Sequence, residues 1–164
     1  MKGEMMDIVT ADLYDQYADR VQVAIPLFRD FGGKKRFCGP VTTLKVYEDN
    51  SLVRDTLEQD GNGHVLVVDG GGSLRCALVG DNLARLGKDN HWEGIIISGC
   101  IRDSAVIATI DIGVKALATN PTKSVKKGEG EKDVPVEMAG MVIRPNDFIY
   151  ADEDGILVSN EKLL

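Results

Sequence analysis

The chain has 164 residues, 43% of them apolar, and a formal net charge of −7. This length and composition suit one globular domain over residues 1–164, in which roughly 70% of the unfolded surface can be buried. The acidic balance disfavours direct binding of nucleic acid, so any link to RNA would run through a protein partner.

The first half of the chain is predicted to alternate between helices and strands. Helices are indicated by apolar residues at helical spacing behind a capping residue, and strands by β-branched or continuous apolar runs. Thr10 or Asp12 would cap the first helix, and Asn50 or Ser51 the second. In chain order the elements are a helix at 10–20, a strand at 38–49, a helix at 50–63, a strand at 64–69, and helix-like spacing from Leu74 to Leu86 that Gly80 interrupts.

The second half first repeats this pattern and then changes. A continuous apolar strand at 92–99 is followed by a turn and helix at 100–113 and a third strand at 114–120, which predicts right-handed parallel βαβ crossovers. Residues 134–159 show short alternating strands separated by AG, RPND and DEDG turns, typical of an antiparallel meander. We therefore expect an α/β domain with β/β/α layers, central parallel strands and C-terminal antiparallel strands. The basic segment 123–133 is expected to be an exposed, mobile loop.

The glycine-rich stretch at 65–84 resembles a phosphate-binding loop only in outline. Gly70 and Gly72 supply the first two glycines of a dinucleotide fingerprint, but Arg75 stands where the third is required. The lysine of a Walker loop is also missing. The stretch therefore does not predict a nucleotide site.

The sequence lacks the residues that several other kinds of catalytic or metal site require. His64 and His91 both precede a strand at its amino end, so a histidine-activated nucleophile or a zinc site is not expected. Cys38, Cys76 and Cys100 are odd in number and widely spaced, which indicates packing roles in a reducing compartment.

The same reasoning bears on membranes and on lysine chemistry. Lys115 is the one obvious Schiff-base lysine, and a surface or snorkelling role is favoured for it. No apolar run is long enough for a membrane span, and residues 1–15 lack the core of a signal peptide. We expect a cytoplasmic protein.

Polar residues gather in two loops, 69–82 and 99–104, that follow neighbouring predicted parallel strands, where α/β folds bind ligands. Carboxylates with water suit Mg²⁺ or Mn²⁺, arginine binds a planar carboxylate through two hydrogen bonds, and a glycine turn exposes N–H groups. Together these groups describe a site for a small oxo-acid. The alternative is a local ion pair at Arg102–Asp103 and a helix break at Gly80–Asp81. The polar residues are Asp69, Arg75, Asp81, Asn82, Arg102 and Asp103.

The blocks GGGSLRCALVGDN, WEGIIISGCIRD, DIGVKALATNP and YADEDGILVS, in this order, resemble the RraA family (regulator of ribonuclease E activity A). That family includes aldolases that cleave 4-hydroxy-4-methyl-2-oxoglutarate. The family signature is Asp, twenty residues, then Arg-Asp, which Asp81 and Arg102–Asp103 meet. The resemblance implies a swivelling β/β/α fold and a ring-shaped homotrimer. A neighbouring subunit can add an acidic residue to the site, and that residue has no assigned counterpart here.

The resemblance also implies a role for each site residue. Asp103 would bind a divalent metal, Mg²⁺ or Mn²⁺, and Arg102 would hold the carboxylate and oxygen of a pyruvyl group. The turn formed by Gly80, Asp81, Asn82 and Leu83 would offer backbone amides to that group, and Asp81 would orient a water molecule on the metal. Family members that only regulate ribonuclease tend to lack the acid after the arginine, so its presence favours catalysis.

The implied activity is retro-aldol cleavage of 4-hydroxy-4-methyl-2-oxoglutarate to two pyruvates through a pyruvate enolate. Oxaloacetate decarboxylation is expected as a side activity through the same enolate. The alternative is a non-catalytic inhibitor of ribonuclease E, for which an acidic surface suits a basic partner.

Overall fold

Residues 8–164, which the computed structural model describes, form twelve strands and four α-helices. The strands are β1 (Val21–Val23), β2 (Arg29–Asp30), β3 (Phe37–Lys45), β4 (Val65–Asp69), β5 (Ala77–Val79), β6 (Gly94–Ile101), β7 (Gly113–Thr119), β8 (Glu131–Lys132), β9 (Val136–Met138), β10 (Met141–Ile143), β11 (Phe148–Asp152) and β12 (Gly155–Ser159). The helices are α1 (Thr10–Tyr17), α2 (Ser51–Leu57), α3 (Asp81–Asp89) and α4 (Ser104–Ile107). The predicted domain (1–164) and the N-terminal segment without a signal-peptide core (1–15) both begin with residues 1–7, which lie outside the described residues.

The parallel centre of the sheet follows from two continuous apolar runs. β4 pairs in parallel with β3 on one side and with β6 on the other, and β6 pairs in parallel with β7. Residues 65–68 and 94–97 are all buried, as expected for strands with a layer on each face. The predicted parallel centre is confirmed, and it brings the carboxyl ends of neighbouring strands to one edge.

Helices cover one face of the parallel strands, and antiparallel strands cover the other. The helix-side core includes Leu57, Leu66, Leu83, Ile97 and Ile107. The strand-side core includes Val67, Ile96, Met141, Ile149 and Ile156. This arrangement confirms the layered α/β class.

The C-terminal strands pair in antiparallel fashion, as the meander predicts. β11 lies between β12 and β3, and β1 adds to the far side of β12. β9 and β10 form a separate hairpin whose turn residues, Ala139 and Gly140, both have positive φ (48° and 76°), typical of a two-residue hairpin turn. β2 pairs with β7 at the opposite edge, and β8 pairs with β3. None of the helices in residues 8–164 combines the length and apolar character needed to cross a bilayer.

Two predicted helices differ from the structure. The helix-like pattern that starts at Leu74 does not become a helix until Asp81, because residues 77–79 form β5 alongside β6. A short apolar run fits a strand and a helix equally well, so periodicity could not separate them. Within the predicted turn and helix at 100–113, strand β6 continues to Ile101 and α4 is a single turn.

The predicted capping residues of α1 and α2 use their side chains elsewhere. α1 begins at Thr10, whose hydroxyl and N–H donate to the buried carboxylate of Asp152 at 2.7 and 2.8 Å. Asn50 precedes α2, but its side-chain amide donates to the Leu78 carbonyl oxygen at 3.1 Å. Each of these residues has a tertiary partner, which a local pattern cannot reveal.

Candidate functional site

Two loops at the carboxyl ends of β5 and β6 meet around a cleft of about 90 Å³. Because β5 and β6 are parallel neighbours, the residues after β6 lie next to the start of α3, which follows β5. The structure therefore brings together two segments that twenty residues (82–101) separate in the sequence. The sequence-predicted catalytic and binding residues all line the cleft; they are Gly80, Asp81, Asn82, Leu83, Arg102 and Asp103.

Asp103 contacts the start of α3 with its side chain. Its backbone is left-handed (φ 59°), a conformation that aspartate tolerates better than most residues. Its side chain does not cap α4, and Oδ2 instead accepts the Asp81 N–H at 3.1 Å. The neighbouring Arg102 donates from Nη1 to the Pro121 carbonyl oxygen at 3.3 Å. Within residues 8–164 no ion pair joins Arg102 to Asp103, so the alternative of a local pair does not hold.

Gly80 is required for this close approach rather than for its backbone conformation. Its φ is −118°, which any residue can adopt. A Cβ at this position would lie 2.7 Å from Asp103 Oδ2 and 3.5 Å from Arg102 Cγ. The absence of a side chain therefore lets the Asp103 carboxylate sit against the turn before α3.

The Asp81 carboxylate pairs with the next turn of its own helix. Arg85 Nη1 donates to Asp81 Oδ2 at 3.0 Å. Burial raises the pKa of the Asp81 carboxyl group, but the side-chain contacts with Asp103 and Arg85 outweigh burial, and the pKa is lowered overall. Asp81 is therefore ionised at neutral pH and can accept hydrogen bonds.

The glycine cluster lies beside the cleft and does not line it. Gly71 and Gly72 have φ of 67° and 72°, and Asp69 Oδ1 accepts the Gly71 N–H at 2.8 Å. Arg75 donates twice to Glu48, at 2.6 and 2.7 Å. Hydrogen bonding by Arg75 is the main cause that lowers the pKa of Glu48 to about 2. Asp69 and Arg75, two polar residues of the predicted oxo-acid loops, thus have local roles.

The cleft also has a basic side that sequence reasoning missed. It contains Arg54 of α2 together with Lys123 and Lys126, and within residues 8–164 none of these cations forms an ion pair. Two buried polar atoms on this side, Asn50 Oδ1 and Ser124 Oγ, have no hydrogen-bond partner in the same part of the chain. The unpaired cations and the Ser124 hydroxyl can serve an anionic ligand, whereas Asn50 Oδ1 is an acceptor and requires a donor. Basic loops are usually solvated, so the sequence carried no signal for this side.

The segment 123–133 is largely exposed, as predicted, but its backbone is tied to the domain. Lys123 forms a parallel bridge with Ala77 beside β5. The Val125 N–H donates to the Glu48 carbonyl oxygen at 3.0 Å. At its far end, β8 pairs with β3. These contacts hold the basic residues of the loop at the cleft.

The donor set suits a hard divalent cation. Within residues 8–164 no three His, Cys, Asp or Glu side chains converge on a point, so a cation in the cleft would keep water among its ligands. Asp103 and Asp81 supply carboxylate oxygens, and no histidine or cysteine lines the cleft. One or two carboxylates with several waters is typical of Mg²⁺ and Mn²⁺ and unlike zinc.

Residues considered for nucleophilic chemistry do not line the cleft. His64 and His91 precede β4 and β6 at the amino ends of these strands, as predicted. Burial raises the pKa of the Cys76 and Cys100 thiols, and raised thiol pKa values fit packing better than reactivity.

Lys115 is buried, contrary to the expectation of a surface or snorkelling role. It is 3% exposed, and its Nζ donates to the Asp152 carbonyl oxygen at 2.8 Å and pairs with Asp30 Oδ1 at 2.7 Å. A buried ammonium group requires such partners, and they come from β2 and β11, far along the sequence. Lys115 does not line the cleft.

Comparison with known proteins finds similarity along nearly the whole chain. Residues 10–158 match the family model RraA-like, described as Aldolase/RraA. A relative from Alkalilimnicola ehrlichii is 60% identical over 159 residues, which cover 97% of this chain and 99% of the relative. Its provisional name is 4-hydroxy-4-methyl-2-oxoglutarate aldolase.

Two solved structures share the fold. A Geobacillus kaustophilus protein named S-adenosylmethionine:2-dimethylmenaquinone methyltransferase superposes with a TM-score of 0.93 and 50% identity, covering 94% of this chain and 96% of that one. The RNA-processing inhibitor RraA from Thermus thermophilis superposes with a TM-score of 0.92 and 47% identity, covering 95% and 94%. The three names describe different functions, so the activity has to be argued from the cleft.

Proposed function

The chain belongs to the RraA-like family, and on that premise we propose that it is a divalent-metal-dependent aldolase that cleaves 4-hydroxy-4-methyl-2-oxoglutarate into two pyruvates. The observation that carries the proposal is the convergence of Asp81, Arg102 and Asp103 on one cleft, which unpaired cations from α2 and the segment 123–126 also line. The substrate has a pyruvyl group at one end and a second carboxylate at the other. Its two ends match the two sides of the cleft.

The pyruvyl end binds beside Arg102. Because Nη1 alone is engaged, with Pro121, the guanidinium keeps N–H groups for a planar carboxylate. The first turn of α3 has no side-chain cap from the glycine before it, so the amide of Leu83 is available to the same group, whereas the Asn82 amide interacts with the Asp81 carboxylate. The Asp81 amide is not available either, since it donates to Asp103.

The second carboxylate binds on the basic side. Arg54, Lys123 and Lys126 provide positive charge, and none of them forms an ion pair within residues 8–164. The buried Ser124 hydroxyl supplies a donor that lacks an acceptor in the same part of the chain. A substrate that spans the cleft therefore satisfies groups that are otherwise unpaired.

Cleavage requires a base at the C4 hydroxyl and a stabiliser for the enolate. A divalent cation on Asp103, when bound, supplies Lewis acidity at the 2-oxo acid group. Asp81 orients a water molecule that takes up the C4 hydroxyl proton and passes it to the Asp81 carboxylate. The C3–C4 bond then breaks, C4 becomes the ketone carbon of one pyruvate, and Arg102 stabilises the charge on the enolate. Protonation at C3 yields the second pyruvate.

The direct test is pyruvate release from 4-hydroxy-4-methyl-2-oxoglutarate by the purified protein. Two pyruvates are expected per substrate, with activity lost to a chelator and restored by Mg²⁺ or Mn²⁺. Oxaloacetate is expected to lose carbon dioxide in the same preparation, because both reactions pass through the pyruvate enolate. Chelator-resistant activity with a borohydride-trapped imine at Lys115 would contradict the metal-dependent route.

Gly80→Ala is expected to lower pyruvate release by about a hundredfold, because small displacements of reacting groups carry penalties of this order. The new Cβ would stand 2.7 Å from Asp103 Oδ2, so the carboxylate must move. Backbone strain does not contribute, since φ at this position is −118°. Parallel measurements of pyruvate release and Mn²⁺ affinity check the prediction.

Gly99→Ala is the matched control for this change. Its Cβ would meet the side-chain atoms Leu78 Cδ1 at 3.3 Å and Ile97 Cγ2 at 3.4 Å, which can shift slightly. It adds the same methyl group near the end of the neighbouring strand β6 and is expected to keep most of the activity. Equal losses in the two variants would show that Gly80→Ala acts through general destabilisation.

A second candidate function is inhibition of ribonuclease E by direct contact. It is favoured by the 47% identity to the RNA-processing inhibitor and by the net charge of −7, which suits a basic partner region. Such binding needs no metal. Inhibition of RNA cleavage by ribonuclease E, retained after Asp103→Asn, would support it alongside or in place of catalysis.

Methyl transfer fits the cleft poorly. S-Adenosylmethionine is a drug-sized ligand, and pockets for such ligands usually enclose about 300–1,000 Å³. The cleft has a volume of about 90 Å³, and a second cleft that shares Arg102 and Asp103, of about 320 Å³, is lined by no glycine among residues 8–164. The nearby glycine cluster also lacks the third glycine of a dinucleotide turn, where Arg75 pairs with Glu48.

A further inference from the structure

The buried carboxylate of Asp49 holds the loop that carries the basic side of the cleft. Asp49 is 3% exposed and lies just before α2. Its Oδ2 accepts the N–H groups of Lys127 at 2.8 Å and Glu129 at 3.1 Å, residues that are 78 and 80 positions further along the chain. Its Oδ1 accepts the N–H and hydroxyl of Ser51 at 2.9 and 2.6 Å.

Ser51 completes this anchor. Its Oγ accepts the Gly128 N–H at 3.1 Å. Three consecutive loop amides, those of residues 127–129, therefore donate to the side chains of Asp49 and Ser51. Gly128 has φ of 73°, a left-handed conformation that glycine adopts at low cost and that lets the backbone curl around the carboxylate. The loop is therefore fixed by its backbone, which leaves its basic side chains available.

The Asp49 carboxylate is charged at neutral pH. Burial is the largest influence and raises its pKa, but hydrogen bonds from Ser51 and from the amides of Glu129 and Lys127 together lower the pKa to about 2. A charged acceptor forms stronger hydrogen bonds than a neutral one. Asn50, between the two anchor residues, lines the cleft itself.

We propose that Asp49 is a positioning residue that holds the segment 123–126 at the cleft, where it binds the second carboxylate of the substrate. The inference rests on the proposed aldolase function and concerns one end of the substrate. Asp49 does not line the cleft. The pyruvyl side is built by α3 and the residues after β6, and neither of these segments hydrogen-bonds to the Asp49 side chain.

Asp49→Asn tests binding at the two ends of the substrate separately. The KM for 4-hydroxy-4-methyl-2-oxoglutarate is expected to rise about tenfold, with kcat within about twofold, because binding at a distance from the reacting bond is lost. The inhibition constant of pyruvate, which occupies the pyruvyl side alone, is expected to stay within about twofold. An active Asp49→Asn variant with an unchanged KM would overturn the inference and leave the proposed function intact.

Amide hydrogen exchange gives a readout that needs no activity. Exchange at Lys127, Gly128 and Glu129 is expected to accelerate at least about tenfold in Asp49→Asn, since these amides lose a charged acceptor or its neighbour. Faster exchange with an unchanged KM would make Asp49 a purely structural residue and overturn the inference. Unchanged exchange rates would show that the Asp49 carboxylate does not hold these amides, which would also overturn the inference.

Two further variants complete the test. Asp147→Asn is the matched control, because Asp147 is also buried and accepts a backbone N–H, that of Arg144 at 2.8 Å, in a turn that does not line the cleft. It is expected to change neither the KM nor the loop exchange. Ser51→Ala removes one part of the anchor and is expected to raise the KM about threefold, which keeps the inference testable if Asp49→Asn does not fold. An inactive wild type would overturn the proposed function and this inference with it.

Discussion

Replacing Asp103 by asparagine is expected to lower kcat/KM for pyruvate release by about a thousandfold, comparable to the loss of a principal charge stabiliser in other enzymes. The Asp81 N–H donates to Asp103 Oδ2 at 3.1 Å, so an asparagine would turn its carbonyl oxygen toward that amide. Its NH₂ group would then take the place of the other carboxylate oxygen, where it offers no lone pair to a cation. The shape of the side chain is preserved, and its charge and ligand atom are lost.

The activity of Asp103→Asn should be measured together with its affinity for Mn²⁺, and both are expected to fall. Asp111→Asn is the matched control, since it removes the same charge from an exposed residue between α4 and β7. It is expected to keep the wild-type rate. Wild-type activity and Mn²⁺ affinity in Asp103→Asn would exclude Asp103 as the metal ligand.

The parallel centre of the fold was predictable because the sequence of each central strand indicates that the strand is buried on both faces. Continuous apolar runs at 64–69 and 92–99 indicate strands covered on both faces, and the structure has them at β4 and β6. The loops that carry Asp81 and Arg102–Asp103 were also predicted to lie at one sheet edge, but the strand that leads to Asp81 is β5, which was predicted to be helix-like. Spacing alone left a local ion pair open, and the contacts of Arg102 and Asp103 with other segments exclude it.

The basic side of the cleft could not be predicted, because long-range contacts create it. A segment rich in lysine and glycine has the composition of a solvated loop. Its placement depends on backbone contacts with distant residues, among them the bridge to Ala77 and the Lys127 amide that the Asp49 carboxylate accepts from 78 positions earlier in the chain. Lys115 differs from expectation for a similar reason, since its ammonium group is satisfied by Asp30 and by a carbonyl oxygen at the end of β11. Local patterns do not contain such partners.

Arg102→Lys is expected to lower kcat/KM by about a hundredfold, although the positive charge is kept. A planar guanidinium can hold a carboxylate through two parallel hydrogen bonds, whereas an ammonium group acts as a point charge. The shorter lysine also cannot keep the contact with the Pro121 carbonyl oxygen, which is 3.3 Å from Arg102 Nη1 and orients the guanidinium. Both binding of the pyruvyl end and stabilisation of the enolate are therefore weakened. Steady-state pyruvate release measures the loss.

Comparing two substrates makes this variant a test of the shared enolate. If cleavage of 4-hydroxy-4-methyl-2-oxoglutarate and decarboxylation of oxaloacetate pass through the same charged species at Arg102, Arg102→Lys should slow both by similar factors. Arg36→Lys, at an exposed arginine paired with Glu153, controls for the exchange itself and is expected to slow neither. A variant that loses cleavage and keeps decarboxylation would show that the two reactions use different stabilising groups, because a common enolate cannot be stabilised in one reaction and not in the other.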